Sequence, residues 1–471
     1  MVAAYFLISA LVAGGIYFLP NRPARLTLAG AFLVVQIALT IYGFTHFDAE
    51  DSTFFTFDRA GVICLSILTM LSVATFYHSV SYAYRHKMLE KHESLYFAFL
   101  VLFVAALTGA NLTNHLGALW TLIEASTLTV AVLIYHERTK QAVEATWKYI
   151  FLCSIGISLA FAGILFLAAE AANHGVKDLK FSELLTHASE LDATWVQIAF
   201  LLLVTGLSVK LGVFPFHTAS INAQTTAPQP VNALLSTVLK NTSFLAIFRI
   251  YQVVSHTQAA TWASHLLLLT GILSLVVAAL QLSRVIHLSR MLGYSGVEHF
   301  GLILMGIGAG GLGYYAAFLH MILHSFAKAS LFYQNDQIHR HFLSYRVNRL
   351  GNYLRVNPLG GLVVLLSLLG IMAMPPSGLF ISELLIFKAL FANGHIPVAI
   401  LALILLLFVL YFFTKNILHL LYDTSDQEMV MKEVKTSPWE SVSQLILLGL
   451  MIAAGFVQPT FLVNLIEMAV K

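Results

Sequence analysis

Apolar residues in this chain neither alternate nor keep to one helical face. They come in long runs separated by short polar joints. A helix needs about 20 mostly apolar residues to cross a bilayer core. By that measure the sequence predicts fourteen spans: 2–19, 27–47, 59–84, 95–112, 115–136, 147–170, 194–216, 229–253, 262–283, 292–309, 311–334, 358–393, 397–421 and 442–464. The twelfth is too long for one straight crossing and holds Met374-Pro375-Pro376-Ser377-Gly378. The seventh closes on Phe214-Pro215-Phe216-His217. Proline removes a backbone donor and interrupts a helix, so both spans are expected to be broken. The chain enters its first run without a basic leader or cleavage site, so 2–19 reads as a span rather than a signal peptide.

Composition agrees. Of 471 residues, 58% are hydrophobic and 10% charged, against about 25% charged in soluble domains. The fold class expected is all-α and polytopic. Lysine and arginine set the orientation. Seventeen fall on one side, among them Arg85, Arg138, Arg290, Arg340, Arg346, Lys432 and Lys435. Five fall on the other: Arg59, Lys177, Lys180, Arg249 and Lys471. Both termini are therefore expected outside, in the periplasm of a bacterium, with the chain in the inner membrane. The stretch 335–357 reads as the longest cytoplasmic loop, serving as a basic anchor or a docking surface. Basic residues confined to short joints give no reason to expect nucleic acid. Cys64 and Cys153 stand alone, too few for an iron–sulfur cluster, and no nucleotide-binding glycine motif is present. No cofactor is expected in this chain.

The chemistry lies inside the runs. Glu124, Lys210, Lys240, His324, Lys328 and Glu383 are ionisable residues at bilayer depth. Each charge there costs on the order of 2.5–3.5 kcal/mol, and such residues usually mark an ion or proton path. His320, His324 and Lys328 recur every four residues and share one helical face. Imidazole donates and accepts at its two nitrogens, which suits a proton relay. Metal ligation is the weaker reading, because no carboxylate or cysteine joins that stripe in sequence. Lys210 precedes Pro215 by five residues, and Glu124 is its natural partner; a static ion pair is the bland alternative. Lys240 sits mid-span among hydroxyl and amide groups. Glu383 follows the proline break. Lys388 points elsewhere and reads as snorkelling. Tyr294, Glu298, His299 and His217 are possible secondary members.

Five segments carry a resemblance: Val209-Lys210-Leu211-Gly212-Val213-Phe214-Pro215-Phe216-His217-Thr218, Ala227–Ser236, Met291–Gly301, His324–Phe332 and Pro375–Glu383. They resemble the proton-translocating, antiporter-like subunits shared by respiratory complex I, Mrp-type antiporters and membrane-bound hydrogenases. Tyr294-Ser295-Gly296-Val297-Glu298-His299 is similar to the F-type subunit of hydrogenase-4. The resemblance implies fourteen helices with two inverted five-helix repeats. It divides the chain into three leading helices (1–94), a first repeat (95–253), a second (262–421), and a cytoplasmic loop with a last helix (422–471). It further implies a path through Glu124, Lys210, Lys240, His320, His324, Lys328 and Glu383 for protons, or sodium. Other membrane subunits and a peripheral coupling partner would supply the redox chemistry. One departure is Ala219–Gln224, where the family usually has an LPDAH-like run. It leaves open how that loop is pinned. The rival readings are a subunit that consumes an ion gradient, in an inorganic-carbon or Mrp complex; a stand-alone solute transporter; and a scaffold with structural ion pairs.

Overall fold

The computed structural model describes residues 1–423 and 436–470. Lys432, Lys435 and Lys471, used above for orientation, lie outside the described residues. The chain is a bundle of helices. α1 (Val2–Phe18) and α2 (Arg22–Thr45) lead into a small hairpin, β1 (Glu50–Ser52) and β2 (Phe55–Thr56). α3 (Arg59–Arg85), α4 (Glu90–Leu112), α5 (Leu116–Ile134) and α6 (Lys140–Asn173) follow, then short α7 (Phe181–Thr186). The next stretch is α8 (Ala193–Leu211), α9 (Thr218–Gln224), α10 (Gln229–Ser236) and α11 (Val238–Val254). It continues with α12 (Ala260–Leu282), α13 (Leu288–Ala309), α14 (Leu312–Phe342) and one turn, α15 (Tyr353–Val356). The chain closes with α16 (Pro358–Ile371), α17 (Gly378–Ala392), α18 (Ile396–Tyr422), α19 (Pro438–Phe456) and α20 (Thr460–Ala469). Among the described residues, ten helical stretches are long and apolar enough to cross a membrane. α13 and α14 are also long, but they carry buried titratable groups.

Both expected breaks are present. α8 stops at Gly212, whose left-handed φ of +74° ends the helix, and α16 and α17 are separate. A third break is not anticipated by the sequence reading: Thr237 parts α10 from α11. No proline marks it. Two other expectations need correction. The 335–357 loop begins only after Phe342, because α14 runs on through buried Asp336 and Arg340. The last span ends at Phe456, and α20 starts afresh after Pro459.

Small residues let helices approach where no water-driven burial helps. A methyl group at Gly206 of α8 would lie 2.4 Å from the Gly156 carbonyl oxygen of α6. One at Gly455 of α19 would lie 2.0 Å from the Gly378 Cα. Each end of the bundle has a polar rim. At one, Arg249 pairs with Asp58 at 2.6 Å and donates to the Asn111 carbonyl at 2.7 Å and that of Thr113 at 3.0 Å, capping α4. The amino terminus meets Asp51 at this end at 2.7 Å. At the other, Arg340 binds Asp336 at 3.1 Å and also Glu440, which Arg85 holds at 2.5 Å. Between the rims α10–α11 is wholly buried.

Candidate functional site

The site begins where α5, α6 and α8 meet. Lys210, 3% exposed, donates to the Thr127 hydroxyl, and Thr127 donates to Glu124 Oε2 at 3.1 Å. The expected Glu124–Lys210 pair is therefore bridged rather than direct. Thr127 escaped the sequence reading, although it stands one turn from Glu124. The Lys210 ammonium also lies 5.3 Å from the centre of the Tyr149 ring.

Gly212 ends α8 two residues later and opens space for Lys240, which the Thr237 break places in the first turn of α11. A methyl group at Gly212 would come within 3.0 Å of Lys240 Nζ, and one at Gly296 of α13 within 2.9 Å. The lysine head is thus cradled by two glycines. It has no hydrogen-bond partner among the described residues, only the Phe300 ring at 5.4 Å. The same point above Gly296 lies 3.9 Å from Lys328 Nζ. The two lysines face one another across that glycine. Lys328 donates to the Leu292 carbonyl and the Ser295 hydroxyl, so α13 steadies one lysine and leaves the other bare.

Beyond Lys328 the histidines line up. His324 is fully buried, with neither ring nitrogen paired among the described residues, and its ring centre is 4.7 Å from that of His299. His299 Nδ1 is 3.0 Å from His320 Nε2. His320 Nδ1 is 2.9 Å from the Ser382 hydroxyl, and Glu383 is the next residue. Glu298 Oε1 is 4.0 Å from His299 Nδ1. His299 thus lies between His324 and His320, with Glu298 beside it. The stripe that lacked a carboxylate in sequence gains two in space, because α13 and α17 pack on α14. A cavity of about 460 Å³ lined by Glu298 and Glu383 reaches exposed Leu384 and Leu407, and so opens at the side of the bundle.

Other candidates stand apart. His217 is half-buried, 6.4 Å ring to ring from Tyr294, and neither touches the histidine line. Lys388 is exposed, as expected. At the basic rim a polar cavity of about 350 Å³ is lined by Glu144, Lys148, Asn222, His287 and Arg290. Burial first, then the nearby Arg290, Arg346 and His339 charges, lower the His287 imidazole from 6.5 to about 4. The stretch without the family's aspartate forms α9, and amide bonds pin it. Asn232 Nδ2 donates to the Gln224 carbonyl at 2.9 Å and the Ala227 carbonyl at 3.0 Å.

Buried bases and acids threaded through apolar, broken helices mark a polytopic membrane protein with a titratable interior. Residues 113–410 match the model of the NADH:quinone oxidoreductase/Mrp antiporter transmembrane family, and the chain belongs to that family. It is 31% identical over 360 residues to the hydrogenase-4 component F homolog of Methylacidiphilum infernorum, covering 74% of this chain and 75% of the relative. It is 26% identical to NADH-quinone oxidoreductase subunit N of Halorhodospira halophila, covering 87% and 84%. In fold it resembles a chain of an archaeal membrane-bound sulfane sulfur reductase (TM-score 0.86, 19% identity, 99% and 96% covered). A chain of the Mrp complex from Dietzia sp. gives a TM-score of 0.85 at 18% identity, with 100% and 96% covered. The resemblance read from the motifs holds.

Proposed function

We propose that this chain is the proton-translocating, antiporter-like subunit of a multisubunit complex in the inner membrane, with sodium as the other ion the path could carry. The observation that carries this reading is Lys240: a buried ammonium, cradled by two glycines, without a hydrogen-bond partner among the described residues and facing a second lysine. A scaffold lysine would be paired, because an unpaired buried charge is costly. Two ammonium groups no more than about 7 Å apart repel by at least about 2.4 kcal/mol at an effective dielectric near 20. A proton on one therefore disfavours a proton on the other, and that coupling drives transfer.

In this mechanism a proton enters from the basic rim and loads Lys240, with Lys210 tuned by Thr127 and Glu124. It moves to Lys328, then through His324, His299 and His320 to Glu383, and leaves on the far side. The corresponding breaks at Gly212 and Pro375–Pro376 support two inverted repeats over 95–253 and 262–421, and the lysine and arginine bias supports both termini outside. In this reading partner subunits, membrane and peripheral, supply the redox chemistry. The similarity to hydrogenase-4 component F supports a hydrogenase-type partner.

The test uses inverted membrane vesicles containing the native complex. Lys240→Met should abolish partner-driven acidification, read by a pH-sensitive dye, while the complex stays assembled. Acidification that survives the substitution overturns the path. Loss of the signal on adding a sodium ionophore alone would assign sodium instead.

A further inference from the structure

We propose that His299, His320 and Glu383, with Glu298 beside them, form a binding site for a divalent transition ion of the zinc class. One donor atom from each of His299, His320 and Glu383 lies within 4.8 Å of the others. Zinc bonds nitrogen at about 2.0–2.1 Å and carboxylate oxygen at about 2.0–2.2 Å, which puts tetrahedral donors roughly 3–3.5 Å apart. The His299 Nδ1 to His320 Nε2 separation of 3.0 Å is already near that. Small rotamer changes close the rest.

Three further features point the same way. The Ser382 hydroxyl donates to the Leu379 carbonyl at 2.9 Å, so it accepts from His320 Nδ1. That fixes the His320 tautomer with its Nε2 lone pair turned to the centre, the support a ligating histidine typically has. Glu298 and Glu383 together cancel a dication, so no net charge is buried. Both carboxylates line the lateral cavity of about 460 Å³, which leaves them room to turn toward a bound ion. Imidazole with carboxylate suits zinc better than magnesium or calcium, which take oxygen.

The site shares its groups with the proposed proton path, on which the inhibitory part of this inference rests: a bound ion occupies the relay and halts flow. Binding and flow are measured separately. The purified complex is titrated with zinc chloride against a chromophoric chelator at pH 7, and X-ray absorption reports the ligands. One equivalent with two imidazoles is expected. His320→Gln and Glu383→Gln should each weaken it at least about tenfold, and Ser382→Ala about tenfold through the supporting bond. Thermal unfolding checks that each variant is folded. Zinc affinity unchanged in both ligand variants, or a spectrum without imidazole, overturns the site. Zinc bound as expected but without effect on ion flow upholds the site and counts against the path.

Discussion

Gly296 and Gly212 matter because of what they lack. Each leaves room for the Lys240 head where a Cβ would come within about 3 Å. Gly296→Ala should displace that ammonium from its place opposite Lys328. Displacing a reacting group by an ångström commonly costs 10²-fold in rate, so dye-read translocation should fall on the order of tenfold or more with assembly intact. Wild-type rates in Gly296→Ala would show that the cradle is only packing. Thr127 is the other small residue with a large role. Thr127→Val keeps the shape but leaves Lys210 and Glu124 without their bridge. A buried group left unpaired costs about 1–3 kcal/mol. Thermal unfolding should register that loss and Thr127→Ser should restore it; equal melting of all three proteins would reject the bridge. Glu124, Lys210, Lys240 and the histidine stripe were legible in sequence because charge within an apolar run has no cheap explanation. Thr127, Ser295 and Ser382 were not, since hydroxyls are ordinary in membrane helices and only their partners make them distinctive.

Among the elements, the breaks do the positioning. Gly212 ends α8 and leaves room for the Lys240 head, and the α16–α17 gap lets Ser382 and Glu383 reach His320. Proline announced two of these breaks. Thr237 carries no such mark, because its backbone is set by the surrounding pack rather than by its own preference. The joint between α12 and α13 carries a pH dependence. The His287 imidazole, lowered to about 4 from 6.5, stays neutral in the folded protein where the unfolded chain would take up a proton. Between those values the unfolded state binds more protons, so stability rises with pH. The contribution is full above pH 6.5 and is lost as pH falls toward 4. Melting temperature should drop across that window, and His287→Gln should make the drop shallower. Identical slopes would mean that His287 is solvated. The Asp336–Arg340–Glu440 cluster shows the opposite limit: Arg340, read as part of a surface loop, is a buried tie between α14 and α19.

For the whole molecule, the two polar rims give the proposed orientation its test. Arg249, Asp58 and the amino terminus share one end, while Arg85, Arg340 and Glu440 share the other. With the basic rim inside, cysteines placed at exposed positions should label asymmetrically in whole cells. Lys177→Cys should react with a membrane-impermeant maleimide and Arg284→Cys should not; native Cys64 and Cys153 are buried and stay silent. The reverse pattern would invert the topology and the direction of flow with it.

The sequence by itself determined that this chain crosses a membrane many times, which titratable residues it carries there, and which family it joins. Those follow from run length, from the cost of charge in lipid, and from motifs that are local in the chain. Only the tertiary structure decided which of those residues meet. Glu298 and Glu383 reach the histidine stripe, and Lys240 meets Lys328 across a glycine, through the packing of α11, α13 and α17 on α14. Contacts between residues 60 or more positions apart, such as His320 with Ser382, are set by helix packing and breaks, and no local pattern encodes them.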